Sequence, residues 1–281
     1  MTWKIVADSG CDYRTIENIA VDTLFESVPL TIQVGDEIFI DNNQLNIDEM
    51  MEKMYATSTA SKSACPSPDD YLKSFAGAYN IFVVTITGTL SGSNNSAQLA
   101  KKLYQEEHPN VNIHVIDSLS AGGEIDLIVH KLNHLIGQGL SFEEVVKAIT
   151  DYQEKTKLLF VLSKVDNLVK NGRLSKLLGT VVGLLNIRMV GEASSQGTLE
   201  LLQKARGHKK SLTAAFEELL KAGYAGGEII IAHRNNTKFC QQFSELVREK
   251  YPKASITIIP TSGLCSFYAE EGGLLMGYEI E

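Results

Sequence analysis

The chain has 281 residues, a hydrophobic fraction of 44% and a formal net charge of -8 at pH 7. This length allows one large domain or two medium ones with a substantial core. The negative charge argues against a nucleic-acid-binding surface. No apolar run reaches the roughly 18 residues that a membrane span needs. The first residues lead into a strand pattern rather than a signal peptide, so we expect a cytoplasmic protein.

The first half alternates between strand and helix patterns. Strands are predicted at "KIVADS", "IFVVTIT" and "NIHVIDS", and "VPLTIQVGDEIFID" predicts a hairpin that turns at Gly35. Helices are predicted at "IDEMMEKM", after a Ser67 cap, and from a capping box of Ser141 and Glu144 to about Lys155. This order is typical of an α/β domain with a largely parallel sheet.

The second half repeats the alternation with different spacing. Strands are predicted at "KLLFVLS", "GEIIIAH", "SITIIP" and "LLMGYEI", and a hairpin at Gln196 and Gly197. Helices are predicted at "SKLLGTVVGLLN" and from Leu212. We therefore predict two α/β domains, residues 1–156 and 157–281. No flexible linker pattern separates them, so we expect close packing with a ligand cleft between them.

Cysteines and histidines are dispersed along the chain. The four cysteines form no C-x-x-C pair, which argues against a zinc site and a disulfide framework. His130 and His134 could place two metal ligands on one helix face. The glutamate of a zinc-protease motif is missing between them, so we expect surface histidines, with no metal and no cofactor.

Small hydroxyl and acidic residues follow the predicted strands of the first half. In an open α/β sheet, ligands bind beyond the carboxyl ends of the strands, and helix N-termini there favour anions. Any one of these side chains is more readily explained as a helix cap. Their convergence predicts an anion site. The set comprises Asp8, Ser9, Ser61, Ser63, Ser67, Thr87, Thr89, Ser91, Ser93, Asp117, Ser118 and Ser120.

Known phosphate-binding and catalytic signatures are missing, since the chain has no P-loop, no G-x-G-x-x-G after a strand and no G-x-S-x-G elbow. His233, directly after a strong strand, could be a general base, but no serine or cysteine can be paired with it. A turn or rim histidine is the more ordinary interpretation. Arg173, near the predicted domain junction, is equally well a surface cation or a clamp for a carboxylate or phosphate.

With these motifs in order, the whole chain resembles the DegV family. The resemblance rests on "KIVADSGCDY", "VPLTIQVGDEIFID", "KSACPSPDDY", "TLSGSNNSA", "VIDSLSAGG", "NGRLSK" and "SFYAEEGGLLMGYE". It implies a long-chain fatty acid held between two α/β domains, with its carboxylate on polar turns of the first. It also implies a binding subunit of bacterial fatty acid kinase, serving phospholipid synthesis. Such a subunit presents the carboxylate to a separate catalytic subunit, which forms an acyl phosphate, and does no chemistry of its own.

The resemblance also assigns site residues. The carboxylate contacts would be Ser63, Ser91, Gly92 and Ser93, and the residues near the head group or the partner would be Ser118, Arg173 and His233. The chain departs from the family pattern at three places. Ala64 and Cys65 replace a serine and a glutamine, Ser93 replaces a threonine, and the tail lacks the histidine that many relatives carry.

In such a site, both the head group and the acyl chain would contribute to the binding free energy. Each charge-assisted hydrogen bond contributes about 1.5–3 kcal/mol, and each buried methylene about 0.8 kcal/mol. We expect "LLGTVVGLL" and "EIDLIVHKL" to line the tunnel, although such stripes taken alone are more typical of ordinary core.

Two other functions are compatible with the residues. One is a hydrolase or transferase that uses the serine-rich turns and His233. The other is a regulatory domain that senses a smaller carboxylate metabolite. The carrier is favoured by the missing catalytic elbow and by the resemblance. It predicts no membrane span, although transient contact with a membrane surface is compatible with it.

Overall fold

The structure, a computed structural model, describes residues 2–174 and 186–281. The strands are β1 Trp3–Asp8, β2 Thr23–Val28, β3 Thr31–Val34, β4 Glu37–Ile40, β5 Lys62–Ala64, β6 Asn80–Thr85, β7 Asn112–Asp117, β8 Thr156–Leu162, β9 Ile187–Ala193, β10 Leu199–Arg206, β11 Ile229–His233, β12 Ile256–Pro260 and β13 Leu274–Glu279. The helices are α1 Ile47–Ala56, α2 Pro68–Phe75, α3 Ser93–Glu107, α4 Gly123–Gly137, α5 Phe142–Gln153, α6 Asp166–Lys170, α7 His208–Lys221, α8 Thr237–Lys250 and α9 Gly263–Ala269.

The first sheet has four parallel strands in the order β2-β1-β6-β7. Its central strands are apolar and almost fully buried, as expected where helices cover both faces. Val6 and Val83 pack on one face with α2 and α3, whereas Ile5 and Phe82 pack on the other with α4 and α5. This confirms the predicted parallel sheet.

The second sheet has six strands in the order β10-β9-β8-β13-β11-β12. Among the described strands of this sheet, β11 and β12 alone pair in parallel, so the sheet is mixed. Helices α7 and α8 cover one face of this sheet. The predicted boundary at residue 156 coincides with the first residue of β8, and the exact limits of the two domains stay a prediction.

Helix α4 packs between the two sheets and touches both. A β-carbon built on Gly277 of β13 would lie 2.2 Å from the carbonyl oxygen of Gly123, and one built on Gly123 would lie 2.6 Å from the amide nitrogen of Gly277. These distances leave no space for a side chain, so two glycines are needed where the helix backbone meets the strand.

A small antiparallel sheet, in the order β4-β3-β5, lies beside the larger ones. Its hairpin turns at Gly35, which has a positive φ of 60°, as predicted. Ile32 and Met50 pack there with Phe267 of α9. This part of the first half is therefore in direct contact with the second half.

Helix capping explains where several helices begin. Ser67 forms a reciprocal capping box with Asp70, and Ser141 forms one with Glu144. Both caps were predicted, and α5 ends two residues before the predicted Lys155. The helix predicted at "SKLLGTVVGLLN" lies, apart from its last residue, outside the described residues. In residues 2–174 and 186–281, no helix is long and apolar enough to cross a membrane.

Candidate functional site: an apolar cavity with a polar mouth

A cavity of about 270 Å³, here called the apolar cavity, is lined by residues of both halves of the chain. One wall is β8, on which Leu158, Phe160 and Leu162 face the cavity. The alternate residues Leu159 and Val161 point to the opposite face and pack with α7 and α8. The period-2 pattern of a strand therefore supplies an aliphatic wall on one side and ordinary core on the other.

Polar side chains collect on one side of this cavity, at Ser63, Ser91, Arg173 and Tyr268, here called the polar mouth. The Ser63 and Tyr268 hydroxyl oxygens lie 2.8 Å apart. Ser91, Gly92 and Arg173 also line an adjoining surface cleft. The polar mouth therefore lies where the cavity approaches the surface.

Arg173 is held over the turn before α3 by main-chain contacts. Its Nε donates to the carbonyl oxygen of Leu90 over 3.2 Å, and Nη1 donates to the carbonyl oxygen of Asn171 over 2.5 Å. Burial raises the pKa of Tyr268, and the nearby Arg173 charge opposes this shift. A cation and three hydroxyls thus meet at an otherwise apolar cavity, an arrangement suited to a carboxylate.

The turn that carries Ser91 is held in place by a buried hydrogen-bond network. The amide of Ser93 donates to Ser91 Oγ over 3.2 Å, and Ser93 Oγ donates to Asp8 Oδ2 over 2.5 Å. Tyr71 OH lies 2.7 Å from Ser93 Oγ. Burial raises the pKa of Asp8 to about 6, against the hydrogen bonds from Ser93, Ile86 and Gly10. Ser93 supports the turn and does not line the cavity.

Helix α9 brings Tyr268 to the mouth and is anchored at its start by two buried carboxylates. The amide of Ser262 donates to Asp12 Oδ1 over 2.6 Å. The amides of Gly263 and Leu264 donate to Asp41 over 2.9 and 2.8 Å. Carboxylates at the start of a helix satisfy its unpaired amides. The first half of the chain thereby orients a helix of the second half.

Two predicted site residues lie elsewhere. Ser118 lines a second cavity of about 560 Å³, here called the polar cleft, which Glu124, Thr156, Lys157 and other polar residues line. His233 ends β11, and its Nδ1 accepts a hydrogen bond of 3.1 Å from the amide of Asn236. Burial lowers the pKa of His233. The structure therefore brings together Ser63, Ser91, Gly92 and Arg173, and not Ser93, Ser118 or His233.

The predicted apolar walls need a correction. The stretch "EIDLIVHKL" belongs to α4, its apolar side chains are buried in the core, and none of its residues lines the apolar cavity. The close contact between Gly123 and Gly277 leaves no space for a ligand between α4 and β13 at that point. The wall comes from β8 instead. The stretch "LLGTVVGLL" lies outside the described residues.

Tyr268 is the mouth residue that sequence reasoning missed. It follows Phe267 in a helix of seven residues, where an aromatic pair reads as ordinary core. The usable signal was its place in "SFYAEEGG", the tail motif in which this chain departs from the family histidine. In the part of the chain that the structure describes, no group of three or more His, Cys, Asp or Glu side chains could hold a metal ion.

Fold and cavity together define an α/β protein of two packed units around an apolar ligand cavity. The model of the DegV family, described as an uncharacterised protein family, matches residues 2–279. The chain belongs to the DegV family, which confirms the resemblance seen in its motifs. A DegV domain-containing protein of Streptococcus gordonii is 82% identical over 280 residues, covering 100% of both chains.

Two similar solved structures contain a ligand. The Streptococcus pneumoniae fatty acid kinase (Fak) B3 protein, loaded with linoleic acid, is 75% identical, with a TM-score of 0.99 and 100% coverage of both chains. A DegV family protein of Eubacterium eligens, loaded with heptadecanoic acid, is 38% identical, with a TM-score of 0.96 and the same coverage.

Proposed function

We propose that this chain binds a long-chain fatty acid in the apolar cavity, with the acyl chain along β8 and the carboxylate at the polar mouth. The observation that carries the proposal is the combination of an aliphatic wall with three hydroxyls and one guanidinium at a single side. Further support comes from the linoleic and heptadecanoic acids in the two similar structures.

The two parts of the site would contribute unequally to affinity. At about 0.8 kcal/mol for each buried methylene, twelve methylenes supply on the order of 10 kcal/mol. Hydrogen bonds to a charged group contribute about 1.5–3 kcal/mol each. The acyl chain would therefore dominate the affinity, and the mouth would set the direction in which the acid lies.

We further propose that the chain is a carrier subunit that presents the carboxylate to a separate fatty acid kinase subunit and does no chemistry of its own. The surface cleft beside Ser91 and Arg173 supports this, because a partner could reach the carboxylate there. The alternative of a hydrolase that uses His233 has no observation in its favour, since His233 does not line the apolar cavity.

Mass spectrometry of an organic extract from the purified, folded protein tests the binding step. We expect one fatty acid per chain, of a length that the mass defines. An extract without fatty acid, repeated after incubation with mixed acids of 14 to 20 carbons, would refute the proposal. Neighbouring acids in this range differ by one methylene, and each buried methylene contributes about 0.8 kcal/mol to the binding free energy.

A reconstitution tests the carrier step. The loaded protein is incubated with ATP, with and without the catalytic subunit of a fatty acid kinase, and acyl phosphate is trapped with hydroxylamine as the hydroxamate. We expect hydroxamate only when both proteins are present. Hydroxamate from this chain alone would show an enzyme rather than a carrier.

A further inference from the structure

We propose that the polar cleft is a second binding site, which takes a small organic cation with primary ammonium groups. The proposal goes beyond the fatty acid site, because none of the described residues that line the polar cleft also lines the apolar cavity. The cleft lies where the two halves of the chain meet. Its walls come from the end of β7, the start of α4, the end of α5, the start of β8 and the turn between β9 and β10.

The central group of the cleft is the carboxyl group of Glu124, in the first turn of α4. Its side chain lines the cleft although only 6% of the residue is exposed. Among the described residues, Thr156 Oγ1 is the one donor in hydrogen-bond contact with this group, at Oε1, and no cation forms an ion pair with it. An ionised carboxylate accepts hydrogen bonds on both oxygens, and a buried charge without a partner is costly. Oε2 is therefore left for a donor that a ligand brings.

The surroundings of Glu124 favour a positive charge. Asp117 and Glu154 also line the cleft, so three carboxyl groups stand against one described lysine, Lys157. The Lys157 ammonium group lies 4.0 Å from the carboxylate of Glu192. Helix α5 ends at the cleft, and the unpaired carbonyl groups of a helix C-terminus carry a negative partial charge. The three carboxyl groups and the helix end therefore attract a cation.

The spread of the carboxyl groups favours an organic cation over a metal ion. Within residues 2–174 and 186–281, no group of three or more His, Cys, Asp or Glu side chains could hold a metal ion, so those of the cleft do not converge on one point. An ion such as Ca²⁺ needs its oxygen ligands within about 2.3–2.6 Å. A short diamine instead carries two ammonium groups at separate ends, and each donates three hydrogen bonds. Thr150, Ser194 and Ser195 add hydroxyl acceptors along the cleft.

Calorimetric titration with the diamine putrescine tests the site. We expect saturable binding to the natural chain and an affinity about tenfold or more lower for Glu124→Gln, the loss of one charge-assisted hydrogen bond. Ala193→Phe, which fills the cleft with a ring, should abolish binding. Glu107→Gln removes the same charge at the exposed end of α3 and is the matched control, with an affinity within about twofold of the natural value. Thermal unfolding checks that each variant is folded.

The pH dependence of putrescine binding is a second readout, because only the ionised form of Glu124 accepts on both oxygens. Burial raises the pKa of Glu124 to about 7, and the probe, like lysine, stays charged well above this pH. The affinity of the natural chain should therefore rise about thirtyfold between pH 5.5 and pH 8, and Glu124→Gln should lose most of this rise. The other charged or titratable groups around Glu124 are Asp117, Tyr152, Glu154, Lys157 and Tyr278.

The proposal would be overturned by no saturable binding to the natural chain, by equal weakening in Glu107→Gln and Glu124→Gln, or by unchanged binding in Ala193→Phe. Binding of Ca²⁺ or Mg²⁺ that depends on Glu124, without binding of putrescine, would show a metal site instead. Oleic acid is titrated in the same variants, and its affinity should change less than about twofold. Failure of the natural chain to bind oleic acid would refute the proposed function and not the cleft site.

Discussion

Strand β8 contributes to two cavities of opposite chemistry. Its first residues, Thr156 and Lys157, line the polar cleft, and from Leu158 onwards its alternate residues line the apolar cavity. The two sites therefore meet at adjacent residues of the same strand, Lys157 and Leu158. The kind of ligand that this junction accepts is decided over a few residues of one strand and by the turns facing it, not by the fold as a whole.

The charges facing the two cavities differ as well. The polar cleft has the buried carboxyl group of Glu124, whose Oε1 accepts a 2.8 Å hydrogen bond from Thr156 Oγ1. Among the described residues that line the apolar cavity, no side chain is a carboxylate and Arg173 is the cation. An anionic ligand is thus favoured by the apolar cavity and disfavoured by the polar cleft.

The largest expected effect comes from filling the apolar cavity. In Ala121→Phe, a six-carbon ring displaces about five methylenes of the proposed ligand, so the acid loses about 4 kcal/mol, nearly a thousandfold. The matched control is Ala193→Phe, since Ala193 lines the polar cleft. Calorimetric titration with oleic acid checks both variants. Equal weakening in the two would mean that the cavities are not separate in function.

The polar cleft should appear in the pH dependence of stability. Burial raises the pKa of Glu124 to about 7 from 4.5. Its stabilising contribution is therefore present below pH 4.5 and is lost as the pH rises through 7, a loss of about 3 kcal/mol. Relative to the natural chain, Glu124→Gln should gain this amount of unfolding free energy between pH 5 and pH 8.

Urea unfolding at the two pH values measures that gain. Glu107→Gln, at the exposed end of α3, serves as the control and should show no such gain. If Glu124→Gln loses stability relative to the natural chain as the pH rises, the carboxyl group of the cleft is stabilised in its charged form.

Serine variants compare the two cavities directly. Ser63→Ala and Ser91→Ala should each weaken oleic acid binding by about 1–3 kcal/mol, because each removes a hydrogen bond to a charged group. Ser118→Ala should leave the affinity unchanged, since Ser118 Oγ donates to the carbonyl oxygen of Ser120 in the polar cleft. If only Ser118→Ala weakened binding, the head group would lie in the polar cleft, and the assignment to the polar mouth would be wrong.

Among the residues of the polar mouth, the smallest effect on binding is expected at Arg173. Its guanidinium also lines the surface cleft, so Arg173→Ala should reduce oleic acid affinity by at most about 1 kcal/mol, as for a partly exposed charge. Hydroxamate formation with the kinase subunit should fall about tenfold or more, the scale of one charge-assisted contact. Arg173→Lys separates charge from the fixed fork geometry. Normal hydroxamate formation by Arg173→Ala would show that Arg173 does not contribute to the contact with the kinase subunit.

The elements were easier to predict than their meeting points. The apolar run "KLLFVLS" predicted β8, and parallel-strand geometry placed Ser91, which follows the central strand β6, in the predicted set of anion-site residues. Ser118 follows the edge strand β7 and faces a different cleft, a difference that depends on strand order and not on local pattern. Ser63 lies in an antiparallel edge strand, and the family pattern is what singled it out from the predicted set of hydroxyl and acidic residues.

The place of Tyr268 in the polar mouth could not be predicted from the sequence for a related reason. Its position depends on Asp12 and Asp41, which bind the amides at the start of α9 from more than 200 residues away in the chain. Spacing and periodicity describe neighbours along one element, and hydrogen bonds at such separation leave no periodic trace. The mouth was therefore only partly predictable, although its serines were named.

The contact between Gly123 and Gly277 has a consequence for ligand exchange. Helix α4 touches both sheets, and at these two glycines backbone meets backbone with no side chain between them. Domains that open like a clamshell need an interface that separates readily, and this one would expose closely packed main chain. We therefore expect the acid to enter and leave through brief local opening of the elements around the polar mouth. Amide hydrogen exchange should then be slow in α4 and faster in the turns of the polar mouth. The rate of lipid uptake would be set by local opening of these turns and not by a motion of the whole molecule.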